Sequence, residues 1–334
     1  MVPAPVCLLV NPSAGGGRAR KAAPGVERTL RELGLHVCRQ DTRDLDHARV
    51  LAREGASAGE TVVVLSGDGM IGAVADVLRE IPGAVLGLLP GGRGNDLARV
   101  LAIPQDPIAA CTTIAGGITR TLDVGEIGGR AFVGIASVGF DSDANRIANA
   151  APSWLGNLVY AYGGLRALIS WRPARFEVEL DPPGERHVLT GYTVGAANSK
   201  AYGGGMLAAP DALLDDGMLE VVTLAAVGRL RFLFSVFPRV FRGTHVQLPS
   251  VHVFRAKEVE VSADRPFTMY ADGDPIGELP VRVRALSGAV TVLVPATAAA
   301  GSAFAFPPAS SPPTLDSSQP ADGHLAAPIP PSEG

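Results

Sequence analysis

No run of about 18 to 20 apolar residues occurs in this sequence, which excludes a membrane-spanning helix. The stretch from Met1 to Val10 lacks a basic segment followed by a long apolar one, so no signal peptide is expected. Cysteine is scarce: Cys7, Cys38 and Cys111 are far apart and form no C-x-x-C pair. A disulfide framework and a zinc site are therefore not expected, and a reducing cytosol fits this usage. The histidines (His36, His47, His187, His245, His252 and His324) are scattered without metal-ligand spacing. Positive charge is not in excess either. The net charge of -4 argues against a dedicated nucleic-acid binder. No Walker A motif occurs, no G-x-G-x-x-G opens the first helix, and no internal repeat is visible.

What is present is ample core material. Hydrophobic residues make up 47% and charged residues 19% of 334 residues, a length that favours two domains. Residues 5–10, 35–38, 61–65 and 84–89 read as strands, with helices following to about Leu33, over 45–56 and through about Arg79. This alternation predicts an α/β domain with a parallel sheet over 1–123. After Asp123 the rhythm changes to short Val- and Thr-rich segments bounded by Gly, Pro and Asp. They are 131–136, 175–180, 188–197, 218–224, 251–254, 258–262, 267–271, 280–284 and 289–294, with helices near 154–170 and 227–242. That pattern predicts an antiparallel, β-sandwich-like domain over 124–288, with a last strand at about 289–295 returning to the first domain. From 296 to 334 the chain is rich in Pro, Ser and Ala with few large apolar residues, which predicts a disordered tail.

The chemistry concentrates in three glycine turns, each after a predicted strand. They are Asn11-Pro12-Ser13-Ala14-Gly15, Ser66-Gly67-Asp68-Gly69-Met70, and Pro90-Gly91-Gly92-Arg93-Gly94-Asn95-Asp96. Turns at the carboxyl ends of parallel strands are where ligands bind, and glycine lets backbone N–H groups approach phosphate. Each turn alone is equally a plain strand-to-helix connection. Three in succession, two of them carrying an acid, point to a phosphate cradle. Asp68, between two glycines after a buried strand, has the sequence context of a phosphate or metal ligand. Asp123, Asp141 and Asp143 read equally well as turn caps.

The order N-P-x-x-G, G-D-G, then P-x-G-x-x-N-D-x-A-R resembles the diacylglycerol kinase catalytic domain family, which includes bacterial lipid kinases and sphingosine and ceramide kinases and is related to NAD kinases. Asp123-Val124-Gly125, Val138-Gly139-Phe140-Asp141, Ala197-Asn198 with Tyr202-Gly203-Gly204-Gly205, Leu214-Asp215-Asp216-Gly217-Met218-Leu219 and Ala271-Asp272-Gly273-Asp274-Pro275 extend the likeness over about residues 5–295. The resemblance implies an NAD kinase/diacylglycerol kinase-like fold and transfer of a phosphoryl group from ATP to a lipid hydroxyl, with diacylglycerol the family-level acceptor. It implies that Asn11 to Gly15, Thr42, Gly67 to Met70, Arg93 and Asn95 hold ATP. Asp68 would organise the triphosphate and Mg²⁺ or assist proton removal, and Asn95 and Asp96 would lie near the cleft. Asp274 would be the general base. Asp216, with backbone groups of Leu213 and Met218, would match a structural Mg²⁺ site.

This sequence departs from the family pattern at several places. Ser66 replaces a glycine and Met70 a threonine, Gly72-Ala73 replaces N-E, Arg93 replaces a threonine, and Asp274 replaces a glutamate. The guanidinium of Arg93 suits phosphate, or it is a solvent-facing turn residue. An NAD kinase-like nucleotide phosphorylator and a catalytically silent lipid- or nucleotide-binding regulator stay open as alternatives, as does a homodimer. The expected location is the cytoplasm, with peripheral contact at the inner face of the cell membrane. Over 229–242, Leu230, Leu233, Phe234, Phe237, Val240 and Phe241 share one helical arc, opposite Arg231, Ser235, Arg239 and Arg242. That arc suits an anionic membrane surface, or it packs on the sheet as an ordinary helix face.

Overall fold

The computed structural model describes residues 4–149, 158–299 and 303–305. The first stretch runs β1 (Val6–Val10), α1 (Ala14–Glu32), β2 (Val37–Asp41), α2 (Leu45–Ser57), β3 (Thr61–Ser66), α3 (Asp68–Leu78), β4 (Val85–Pro90), α4 (Asp96–Val100) and α5 (Cys111–Gly116). Strands β2, β1, β3 and β4 lie side by side in that order, all parallel. Val62 to Leu65 of β3 are fully buried. A strand covered on both faces reads as an unbroken apolar run, which is why TVVVL shows no alternation. Burying each such Val or Leu stabilises the fold by about 1.5–3 kcal/mol.

Local chemistry sets the helix starts. The opening of α1 is a run of left-handed glycines, Gly15, Gly16 and Gly17 (φ 60°, 69° and 91°). Regular helix therefore begins at Arg18, and Ala19, Ala23, Val26 and Leu30 line its buried face. The carboxylate of Asp44 caps α2 by accepting the His47 N–H at 2.7 Å. Helix α3 starts directly after Gly67, with Asp68 in its first turn.

The second stretch runs β5 (Thr119–Ile127), β6 (Arg130–Phe132), β7 (Ile135–Gly139), α6 (Phe140–Asn149), α7 (Leu158–Ser170), β8 (Ala174–Leu180), β9 (Glu185–Ala197), β10 (Ala201–Tyr202), β11 (Met206–Leu207) and β12 (Leu219–Ala225). It continues with α8 (Arg229–Arg231), α9 (Phe237–Val240), β13 (Val251–Ala256), β14 (Glu258–Ala263), β15 (Thr268–Ala271), β16 (Asp274–Glu278), β17 (Val281–Leu293) and α10 (Ala296–Ala299). Here the ladders are antiparallel. Strand β17 joins the two regions into one mixed sheet. Its start pairs antiparallel with β14, and its end pairs parallel with β4 through Thr291 and Val292. The chain thus has a parallel N-terminal sheet and an antiparallel C-terminal one, as the sequence predicts.

Two expectations are corrected. The helix over 229–242 lays only part of its apolar arc on the core, through the half-buried Leu233 and Phe237. It buries Phe232 and Val236 and leaves Leu230 and Phe234 73% exposed and Phe241 49% exposed. A π-helical turn over Phe232–Val236 precedes Pro238, which has no N–H for a regular turn. The second correction concerns the start of the predicted disordered tail. Ala298, Ala303 and Phe304 are buried. The Ala303 carbonyl accepts the Leu214 N–H at 2.9 Å, and the Arg120 guanidinium lies 4.1 Å over the Phe304 ring. Phe304, in an otherwise Pro-, Ser- and Ala-rich stretch with Phe306 as the other aromatic residue, was the signal for this contact. Residues 306–334 lie outside the described residues, as do 154–157 of the helix predicted near 154–170.

Candidate active site

The three glycine turns meet at the carboxyl ends of β1, β3 and β4. Turn one is closed by Asn11, whose Oδ1 accepts the Ser13 N–H at 3.1 Å and the Ser13 hydroxyl at 2.8 Å. A Cβ on Gly15 would lie 2.5 Å from the Gly91 carbonyl oxygen, and one on Gly67 would lie 3.1 Å from the Gly92 Cα. The turns are therefore packed backbone to backbone, which only glycine permits. Asn95 holds turn three in a left-handed conformation (φ 54°). It accepts the Gly92 N–H at 2.8 Å and returns its own amide to the Gly92 carbonyl at 3.2 Å. Arg18, which the sequence reading passed over, also donates to that carbonyl. Arg93 is exposed at the rim of turn three. The side chains of Thr42 and Met70 are buried against each other, 3.8 Å between Oγ1 and Sδ, so they do not line the cleft.

Four carboxylates gather around this cradle. A Cβ on Gly94 would lie 3.1 Å from Asp68 Oδ2 and 3.2 Å from Asp96 Oδ2, so these two acids flank one glycine. Asp68 Oδ1 accepts the Leu97 N–H at 3.2 Å, and Asp96 Oδ2 accepts the Gly204 N–H at 2.8 Å. Asp96 Oδ1 is buried with no hydrogen-bond partner among the described residues. Burial, with the nearby charge of Asp68, raises its pKa above the usual carboxylate range. Asp274 reaches in from β16, its Oδ2 3.5 Å from where a Cβ on Gly69 would be. Burial raises its pKa too, while Arg130 and Arg49 oppose the shift.

The fourth acid, Asp272, carries a role that the sequence reading gave to no residue. Its oxygens accept the Val133 N–H at 2.8 Å and the Gly134 N–H at 2.9 Å. A Cβ at Gly72 would lie 2.9 Å from Oδ2, so the Gly72 departure leaves room for this carboxylate against α3. Burial and the charge of Asp68 push its pKa up to about 7. The left-handed turn at Asp272 and Gly273 (φ 50° and 96°) then directs Asp274 toward Gly69.

The expected structural Mg²⁺ site is tested by the partners of Asp216, and they do not fit it. One carboxylate oxygen accepts the Met218 N–H at 3.0 Å, and the other is ion-paired with Arg255. Arg255 also pairs with the buried Glu220 at 3.0 Å. The guanidinium thus stands where a cation would, and Leu213, Asp216 and Met218 are not a ligand set beside it. Asp123 is likewise held by backbone donors, Gly217 N–H at 2.6 Å and Gly288 N–H at 2.7 Å. The thermal midpoint is accordingly expected to be unmoved by chelator or millimolar Mg²⁺. The variant Arg255→Met leaves Glu220 buried and unpaired, a loss of about 1–3 kcal/mol, and Mg²⁺ then partly restores its midpoint. A wild-type midpoint that falls with chelator would contradict the assignment.

A glycine cradle at the ends of a parallel sheet, faced by acids from an antiparallel sheet joined to it, defines a nucleotide-type phosphotransferase fold of the NAD kinase-like class. Two family models match the chain: "Diacylglycerol kinase catalytic domain" over residues 5–127 and "YegS C-terminal NAD kinase beta sandwich-like domain" over residues 134–294. A diacylglycerol kinase of Mycobacterium tuberculosis (strain ATCC 25618 / H37Rv) is 35% identical over 300 residues, covering 87% of this chain and 95% of that one. A diacylglycerol kinase of Bacillus subtilis (strain 168) is 28% identical over 277 residues, covering 82% and 90%. The crystal structure of a diacylglycerol kinase from Bacillus anthracis str. Sterne matches with a TM-score of 0.70 over 88% of this chain and 98% of that one. At 20% identity this last match shows the fold. The chain belongs to the diacylglycerol kinase family. It is therefore a kinase, a phosphotransferase with an alcohol group as acceptor.

Proposed function

We propose that the protein transfers the γ-phosphoryl group of ATP to a lipid hydroxyl, with diacylglycerol as acceptor and phosphatidic acid as product. The observation that carries this reading is the pair Asp68 and Asp96 across Gly94, at the meeting of three glycine turns, with one buried oxygen of Asp96 unpartnered. Two acids beside a phosphate cradle fit a nucleotide-bound Mg²⁺, which takes a few carboxylate oxygens and completes its shell with phosphate and water. Held there, such an ion would neutralise charge building up on the transferred group. Backbone N–H groups of the three turns bind the triphosphate, and Asn11 and Asn95 keep those turns in shape. Arg93 contacts phosphate from the rim. Asp274 accepts the proton of the lipid hydroxyl as its oxygen bonds to the γ-phosphorus and the bond to ADP breaks.

The test is incubation of purified protein with labelled ATP, Mg²⁺ and a panel containing diacylglycerol, sphingosine, ceramide and NAD. Label in phosphatidic acid is the expected result. Label in NAD alone, or in nothing, would overturn the reading.

The acceptor lies in a bilayer, so the enzyme must meet one. Among the described residues no helix is long and apolar enough to cross a membrane. The outward stripe of Leu230, Phe234 and Phe241, beside Arg231, Arg239 and Arg242, supports peripheral contact at an anionic surface. Replacing Leu230 and Phe234 together by Asp is expected to cut vesicle binding at least about tenfold, since each side chain withdraws roughly 1.5–3 kcal/mol of apolar burial. Turnover on a short-chain acceptor in detergent stays near wild type. Equal vesicle binding by both proteins would remove this stripe from the interface.

A further inference from the structure

A cavity of about 530 Å³ opens between the start of α6, the end of α7 and the loop that leads into β15. It shares no residue with the glycine cradle. Arg146, Arg172 and Arg265 line it, and Asp143 is the only acid among its lining residues. Asp143 is engaged with Arg146 at 3.3 Å. Among the described residues the Arg172 guanidinium has no hydrogen-bond or ion-pair partner. Arg265 is held rigidly. Its guanidinium lies 4.9 Å over the Phe267 ring and 5.8 Å from the Trp171 ring. It donates to the Pro173 and Arg172 carbonyls at 3.3 Å and 2.6 Å. A guanidinium has five N–H donors, so Arg265 keeps spare ones in a fixed orientation.

Three guanidinium groups line the cavity with one acid, itself paired with Arg146, so the lining carries net positive charge that favours an anion. Planar, bidentate donors on one cavity wall suit the oxygens of a phosphate ester. The surroundings indicate where that ester comes from. Arg229, which opens the helix with the outward apolar stripe, donates to the Trp171 carbonyl at 3.1 Å. Ile169, two residues before Trp171, is 67% exposed. Trp171, on the cavity wall, thus ties the cavity to the helix that carries the exposed Leu230 and Phe234, and exposed Ile169 adjoins the same wall in the chain. Tyr270, on its wall, belongs to β15, the strand that leads into Asp272 and Asp274 of the candidate site.

We propose that this cavity binds the phosphate headgroup of an anionic lipid standing next to the acceptor. The headgroup docks the enzyme and is not itself phosphorylated. This rests on the lipid-kinase reading for its purpose, but its test needs no ATP. Full-length protein is floated with phosphatidylcholine vesicles, with and without phosphatidic acid, in the presence and absence of soluble glycerol 3-phosphate. Wild type is expected to bind the acidic vesicles more tightly, and glycerol 3-phosphate should not release it. Arg172→Gln, which breaks no described contact, loses about tenfold in affinity for the acidic vesicles, the worth of one charge-assisted phosphate contact. Its binding to phosphatidylcholine alone is unchanged. Arg265→Gln behaves alike, and Arg28→Gln, exposed on α1 and part of neither the cavity nor the stripe, retains the preference. Turnover of Arg172→Gln on a short-chain diacylglycerol in detergent matches wild type. Two results would overturn the proposal: Arg172→Gln and Arg265→Gln keeping the wild-type preference, or glycerol 3-phosphate releasing the protein, which would make a soluble ester the ligand. A wild type inactive on every lipid would instead sink the kinase reading and leave the flotation result standing.

Discussion

Asp68→Asn is expected to reduce phosphoryl transfer by about 10³-fold or more, because charge neutralisation and positioning are nearly all that such a reaction asks of the protein. The substitution preserves shape. An Asn oxygen still accepts the Leu97 N–H that Asp68 Oδ1 accepts at 3.2 Å, so α4 keeps its place. What disappears is one negative charge of the pair across Gly94. The thermal midpoint should therefore stay within about 2 °C of wild type. A change within that margin should be a rise, since losing the Asp68 charge relieves Asp96 and Asp272, whose pKa values it raises. The readout is labelled-lipid formation at saturating ATP beside a melting curve. Turnover within tenfold of wild type would remove Asp68 from the machinery, whereas loss of both activity and fold would show a structural acid.

The parts legible in the sequence were those whose chemistry is local. Three glycine turns announce themselves because left-handed backbone and close packing demand glycine or asparagine at particular positions, as at Gly15 and Asn95. The central strands β1, β3 and β4 are plain apolar runs. Strand β5 was missed because Asp123 and Glu126 interrupt its pattern. Both are buried and satisfied by distant partners, Glu126 by Arg284 at 2.9 Å and Asp123 by Gly217 and Gly288. Strand β17 read as two strands for a related reason. Ser287-Gly288 looks like a break, yet Gly288 (φ 58°) forms a bulge whose N–H binds Asp123. Asp272 has no role legible in the sequence beyond its place in the motif Ala271 to Pro275, since its donors at Val133 and Gly134 are 139 and 138 residues away.

Arg255 shows how the family motif and the structure diverge. The motif Leu214 to Leu219 is intact in sequence, so the resemblance carried a metal site with it. Strand β13 pairs Arg255 with Glu220, which brings a guanidinium onto Asp216. A fixed cation supplied by the chain performs the neutralising part of a bound ion's work without depending on its concentration. The same logic appears at Arg120, which pairs with the half-hidden Asp215 at 2.7 Å.

Asp274→Asn is the second large effect, expected to lower kcat about 10²- to 10⁴-fold, the range for loss of a general base. ATP binding should change little, because Asp274 belongs to β16 and approaches turn two only over Gly69. The pH profile separates this role from a structural one. A base must be ionised to accept a proton, so wild-type kcat rises with pH through the pKa of Asp274. Burial sets that pKa above the ordinary aspartate value, against the pull of Arg130 and Arg49. The Asn variant has no such group, and this limb of its residual profile flattens. Burial, with the charge of Asp68, pushes the pKa of Asp272 up to about 7. Its protonation relieves repulsion among the gathered acids, so a second, higher inflection belongs to it and persists in Asp274→Asn. Restoring the family glutamate with Asp274→Glu adds a methylene to a side chain already 3.5 Å from the Gly69 Cβ position. The longer carboxylate overshoots a turn set by the left-handed Asp272 and Gly273, and turnover falls rather than rises. An Asp274→Asn enzyme with wild-type kcat and an unchanged acidic limb would show that another group takes the proton.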